Sequence, residues 1–201
     1  MGRNYSNITD LKQTFVDGQE NASGLQEKAY FIPLSWMSKV AKVATDGTTA
    51  ASVVEITESH EMISGKTPIE FQMLYSKSGA TAELEGEELS KVFRQGPAEF
   101  FLPNINAGNL GTAAAIKNYR GIVLIKRIGG GDFYQIGSEE LAAQVVSGNV
   151  SFGTGPAGEV GIRSAFQAYS AVPFYVYKGD LPGTPEAGAQ ALGKSIAEKN
   201  K

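Results

Sequence analysis

The run Gly121 to Ile128, GIVLIKRI, places the tightest constraint on how this chain can fold. Ile122, Val123, Leu124 and Ile125 follow one another without a polar residue between them. Such a run has no face to give to water, so it reads as a central, buried strand. Gly129-Gly130-Gly131 then turns the chain, and Asp132 to Gly137 (DFYQIG) returns as its hairpin partner.

The flanking segments extend the β reading. Ala29 to Trp36 is apolar and reads as the first strand. Ser52 to Glu58 (SVVEITE) is rich in β-branched residues. Thr67 to Ser76 (TPIEFQMLYS) alternates, with Ile69, Phe71, Met73 and Tyr75 on one face and Glu70 and Gln72 on the other, the period of a half-buried strand. Ala98 to Pro103 (AEFFLP), Ala142 to Phe152, Gly161 to Tyr169 and Ala171 to Tyr177 read as further strands. The 24 glycines fall at turns rather than in a repeat, which suits many short strands. One helix is predicted over Leu84 to Gln95. Leu84, Leu89, Val92 and Phe93 can share a stripe there, glutamates crowd the start, Lys91 and Arg94 sit near the end, and Gly96-Pro97 stops it. Asn104 to Tyr119 reads as a long polar connection. The predicted organisation is an N-terminal arm over 1–28, one β-domain over 29–178 and a C-terminal tail over 179–201.

Composition removes several function classes. Eighteen basic against 21 acidic residues give a net charge of −3, so there is no cationic footprint for tight nucleic-acid binding. With no cysteine, thiolate chemistry and disulfides are excluded. Met1 to Asp10 has no apolar core of signal-peptide type, and no run approaches the roughly 20 apolar residues that span a bilayer. The expectation is a chain kept in a cytoplasm or in a particle assembled there, with no membrane partner.

Motif-like stretches carry no chemistry on inspection. Gly153 to Gly158 matches G-x-G-x-x-G, but Pro156 interrupts it and a strand follows, whereas a dinucleotide site needs a helix start. Ser64-Gly65-Lys66-Thr67 echoes the end of a phosphate-binding loop, but His60 stands where its first glycine belongs and Pro68 with a strand comes next. The single histidine, His60, has no companions at metal-ligand spacing and supports no Ser-His-Asp scheme. No catalytic residue, metal site or cofactor is assigned, and the chain is read as a non-enzyme.

The aromatic residues point to assembly. Phe166 and Phe174 fit a sandwich core, but Tyr175 and Tyr177 fall on the face opposite Phe174. Something else must cover one of those faces, either a partner subunit or a packed arm. Tyr169, Pro173, Tyr175 and Tyr177, with His60 and Ile63 in the connection Ser59 to Lys66, are the candidate subunit interface.

In this order the segments resemble bacteriophage tail tube proteins over roughly residues 50–177. The features that carry the resemblance are the strand GIVLIKRI, the glycine turn, DFYQIG, the small-residue strand and loop NVSFGTGPAG, and a closing pair with Ala171-Val-Pro-Phe-Tyr175; upstream, the long amphipathic strand, the helix with its acidic start and the aromatic strand AEFFLP also suit that family. The N-terminal region and Pro185 to Lys201 match nothing in that family. The resemblance implies a mainly antiparallel β-sandwich or barrel with one flanking helix. It implies a virion tail subunit assembled in a bacterial cytoplasm as a homo-oligomeric ring, hexameric or pseudo-hexameric, with other tail or connector proteins as partners and DNA passing transiently through the lumen. It also implies that Ser52 to Glu58 and Thr67 to Ser76 form a long hairpin, with Glu55, Glu70 and Gln72 facing the lumen. The competing expectation is a monomeric β-barrel that holds a small ligand in its mouth.

Overall fold

The computed structural model describes residues 5–44 and 47–183. The expected tail over 179–201 therefore lies largely outside the described residues. The strands are β1 (Leu25–Pro33), β2 (Met37–Lys39), β3 (Glu55–Ile56), β4 (Glu61–Met62), β5 (Ile69–Gln72), β6 (Gly79–Glu85) and β7 (Val92–Leu102). A helix α1 (Ala107–Ile116) precedes β8 (Arg120–Arg127), β9 (Phe133–Ile136), β10 (Ala143–Ser151), β11 (Gly161–Ser170) and β12 (Tyr175–Tyr177). The fold is mainly β and sandwich-like, and it is not a closed barrel.

The central strand behaves as its composition requires. β8 pairs antiparallel with β1 along one edge and with β9 along the other. One layer thus runs β5-β1-β8-β9-β12-β3, and a second runs β10-β11-β7-β6. β8 is buried on both faces. Val123 and Ile125 point into the core between the layers, beside Phe31, Phe71, Phe100 and Phe166. Ile122 and Leu124 point into a second core with Ile32, Met37, Ile56, Tyr175 and Tyr177. In the first core Phe166 lies with its ring centroid 5.1 Å from Phe31, 5.4 Å from Phe100 and 5.6 Å from Phe71. Each such ring, fully withdrawn from water, contributes on the order of 2 kcal/mol.

The layers are joined where β8 passes its edge from β9 to β10. Gly121 there pairs with Pro33 on one side and with Ala143 on the other. A Cβ on Gly121 would press on the Ile32 carbonyl and come within 2.8 Å of the Phe31 ring. Gly137, at φ +84°, turns the chain from β9 toward β10, and a Cβ there would lie 2.6 Å from the Ala143 nitrogen. Both positions therefore demand glycine. At the other corner Leu74 N–H donates to the Phe101 carbonyl at 2.8 Å, tying the segment after β5 to β7.

Three expectations are corrected. Residues 84–95 are not a helix: they are the end of β6, a short 3₁₀ turn at Glu88–Ser90 and the start of β7. Arg94 Nε reaches Glu85 at 2.5 Å across the strand pair, and Arg94 also pairs with Glu83. These cross-strand pairs give the glutamates partners that a helix start would have left crowded together. The helix lies instead in the expected connection, where Asn106 caps it by accepting from the Asn109 N–H at 2.8 Å. The long hairpin does not form either: β3 pairs parallel with β12, and β5 pairs antiparallel with β1. Finally, the first strand begins at Leu25, so the lead-in ends four residues earlier than expected. The G-x-G-x-x-G stretch is a turn between β10 and β11, as read.

Because Phe166 touches three other buried rings, Phe166→Ala is expected to lower the unfolding free energy by about 3–5 kcal/mol in a urea titration. Phe152→Ala, at an exposed position, should change it by less than about 0.5 kcal/mol. Equal losses would show that the inter-layer core has been misplaced.

Candidate subunit interface and the buried joint

The six residues expected at an interface divide into two groups. Tyr169, Pro173 and Ile63 are exposed. His60 and Tyr177 are only 2% and 1% exposed, and Tyr175 is buried as well. Those three are therefore corrected from interface to core. The surplus apolar face of the last strand is covered by the chain's own preceding residues, which pack Met37, Ala41 and Val43 in one core with Tyr175 and Tyr177. Of the two covers the sequence allowed, this is the packed arm.

His60 stacks flat on Tyr177, with centroids 4.5 Å apart and planes 4° apart. Its Nδ1 accepts from the Ala41 N–H at 3.0 Å, so the ring proton sits on Nε2, which donates to Gln135 Oε1 at 2.8 Å. Gln135 Nε2 donates to the Gly137 carbonyl at 2.9 Å, and the Gly137 N–H donates to Gln95 Oε1 at 2.8 Å. Gln95 Nε2 donates to the Val172 carbonyl at 3.0 Å. The His60 backbone N–H meets the Tyr177 hydroxyl at 3.0 Å, and that hydroxyl donates to the Asp180 carbonyl at 2.7 Å. A continuous polar thread thus runs from β7 in the second layer, through the joint, to the covering segment. Every donor and acceptor along it is paired, as burial requires.

This arrangement is structural chemistry. Both ring nitrogens of His60 are occupied, so it offers no lone pair to a metal or substrate without breaking the thread. Among the described residues no three His, Asp or Glu side chains gather at metal-binding distance. Burial pushes the His60 pKa down, against a weaker upward pull from the Gln135 hydrogen bond. Burial also pushes the Tyr177 hydroxyl up. Gln95 and Gln135 were invisible as site residues in the sequence, because a glutamine within a strand gives no sign of which face it will occupy.

The expected lumen residues are not brought together. Glu55 lies on β3 and is paired with Lys178 at 2.7 Å. Glu70 and Gln72 lie on β5, at the opposite margin of the first layer. Glu70 accepts from Gln72 at 2.9 Å and pairs with Lys28 at 3.0 Å; the Gln72 bond is the larger cause that holds its carboxyl below the usual range.

The second layer carries the unpartnered surface. β6 pairs only with β7, and β10 pairs with β8 only at Ala143 and Gln144, so Val145 to Ser151 present a free edge among the described residues. Exposed apolar side chains stand near both margins: Leu84, Leu89 and Val92 around β6, and Val146, Val150 and Phe152 along β10. Two cavities among the described residues bear on this surface. One, of about 600 Å³, opens between Gly24, Ala80, Glu99 and Arg127; the other, of about 360 Å³, lies between α1 and the β10–β11 hairpin. No helix among the described residues is long and apolar enough to cross a membrane.

The thread makes stability depend on pH. The folded chain keeps His60 neutral, while the unfolded chain takes up its proton as pH falls through about 6.5. The contribution is therefore complete above that pH and is lost below it, until the folded ring is protonated too. Urea midpoints should fall on acidification from about pH 7, with a His60-dependent slope of at most about 1.4 kcal/mol per pH unit. His60→Gln should flatten that component and cost about 1–3 kcal/mol at neutral pH, through the unpaired Ala41 N–H. An unchanged slope in the variant would show that His60 is not the titrating group. No family model matches this chain, and no curated protein and no solved structure matches it either.

Proposed function

We propose that this chain is a structural subunit that assembles with copies of itself into a ring, and that the ring belongs to a bacteriophage tail. The observation that carries assembly is the second layer. Among the described residues it ends in two free strand edges, β6 and Val145 to Ser151 of β10, each flanked by exposed apolar side chains. Free edges template pairing with another chain, and natural proteins normally blunt or cover them. Two different edges on one subunit make a head-to-tail contact, which closes as a ring when the rotation permits. The phage assignment rests on the segment order from residue 121 to residue 177 and on the mainly β, sandwich-like fold; the helix over 84–95 and the long hairpin that the resemblance implied do not support it.

The ligand-binding alternative has less support. A binding mouth needs a largely apolar pocket with a few convergent polar groups. The larger cavity is an open cleft whose lining mixes Leu25, Ala80 and Pro97 with Ser78, Glu99 and Arg127.

Native mass measurement with negative-stain imaging tests the reading. Rings or short tubes with a central hole are expected at high protein concentration. A monomer that persists at every concentration would overturn it, and a monomer that captures a small apolar molecule would favour the alternative.

A further inference from the structure

The chain carries both halves of a contact that it does not make with itself. One half is the groove between α1 and the β10–β11 hairpin. Its apolar lining includes Ala113 and Ile116 from the helix and Val145, Val150 and Ile162 from the strands. Val150 and Ile162 are cross-strand partners, and Ile116 and Val145 reach the inter-layer core, so the groove is the open end of that core. Lys117 also lines it and forms no ion pair among the described residues.

The other half is the loop over 11–23, in which every residue is exposed. Its base is fixed: Ile8 is buried, and Asp10 Oδ1 accepts from the Ala50 N–H at 2.7 Å. Its tip is a turn in which the Gln19 N–H donates to the Val16 carbonyl at 3.3 Å, with Gly18 at φ +79°. Leu11, Phe15 and Val16 are 69%, 78% and 59% exposed. Asp17 and Glu20 stand beside them and form no described ion pair. An apolar projection with acidic neighbours therefore faces solvent on the same chain that leaves an apolar groove with a free lysine.

We propose that the loop of one copy, led by Phe15 and Val16, inserts into the α1/β10–β11 groove of the next copy, with Asp17 or Glu20 meeting Lys117. The occupant is a second copy because the complementary charge and apolar surface belong to this chain, and because its own loop leaves its own groove open. The contact joins two different surfaces, so it propagates head to tail, as a ring requires. It rests on the assembly reading above and names the seam.

The chain has no cysteine, so introduced thiols are free of background. Val16→Cys and Val150→Cys are prepared separately, mixed at concentrations where the wild-type chain assembles, and oxidised. A covalent heterodimer linked 16-to-150 is the expected main product. Phe15→Asp added to the Val16→Cys chain should abolish the link and shift native mass to monomer, with the monomer's melting temperature unchanged. An intrachain link in the Val16→Cys/Val150→Cys double variant, seen at monomer mass, would overturn the proposal by showing that the loop folds onto its own groove. An unlinked mixture in which Phe15→Asp assembles like wild type would also overturn it, while leaving ring formation standing. A wild-type chain that stays monomeric at all concentrations would remove both.

Discussion

The fold depends on a buried polar thread, Gln95 to Gly137 to Gln135 to His60, that crosses the place where the two layers meet. Apolar packing sets how strongly the layers adhere, but it is not directional. The thread is directional. Gln95 on β7 holds the N–H of Gly137, the residue that turns the chain from β9 toward β10. Gln135 holds the carbonyl of the same glycine, and His60 then fixes the covering segment through Ala41. Loss of any member leaves a buried partner unpaired, which costs more than the bond itself contributes. The thread therefore ties the two layers and the cover together in one relative placement.

That placement determines which surface remains for a partner. Around β8 the first layer is buried on both faces, by the second layer on one side and by the segments that carry Met37, Ala41 and Val43 on the other. Its apolar residues are satisfied within the chain. Among the described residues the second layer has one covered face and two margins left largely unpaired. Its outer face carries ion pairs such as Arg163 with Glu99 and Glu159, and Arg94 with Glu83 and Glu85. Exposed pairs of this kind contribute little stability, but they keep that face hydrated. Among the described residues, the apolar surface that the second layer leaves exposed thus lies at its margins and in the groove beside α1.

Much of the architecture was legible in the sequence. The uninterrupted apolar run of β8 announced burial on both faces, and the glycine turn after it announced the β8–β9 hairpin. The alternation around Phe166 and Phe174 placed one core, and the opposite placement of Tyr175 and Tyr177 required a second cover. What covered them was not legible, because the sequence of 37–51 is small and polar and the strands of this segment, Met37–Lys39, Glu55–Ile56 and Glu61–Met62, are only two or three residues long. The helix was misplaced because Leu84, Leu89, Val92 and Phe93 satisfy a helical stripe as well as two strand ends. Gly86, at φ +100°, and the cross-strand partners of Arg94 decide between them only in three dimensions. His60 looked like a surface residue because its partners, Gln135 and Tyr177, are distant in sequence.

Amide hydrogen exchange, compared between dilute and concentrated protein, tests self-assembly at the margins most directly. The amides of Val145 to Ser151 and of Gly79 to Glu85 should gain protection with concentration, while those of β8, already paired on both edges, should not change. Margins that exchange equally fast at all concentrations would contradict assembly through the second layer.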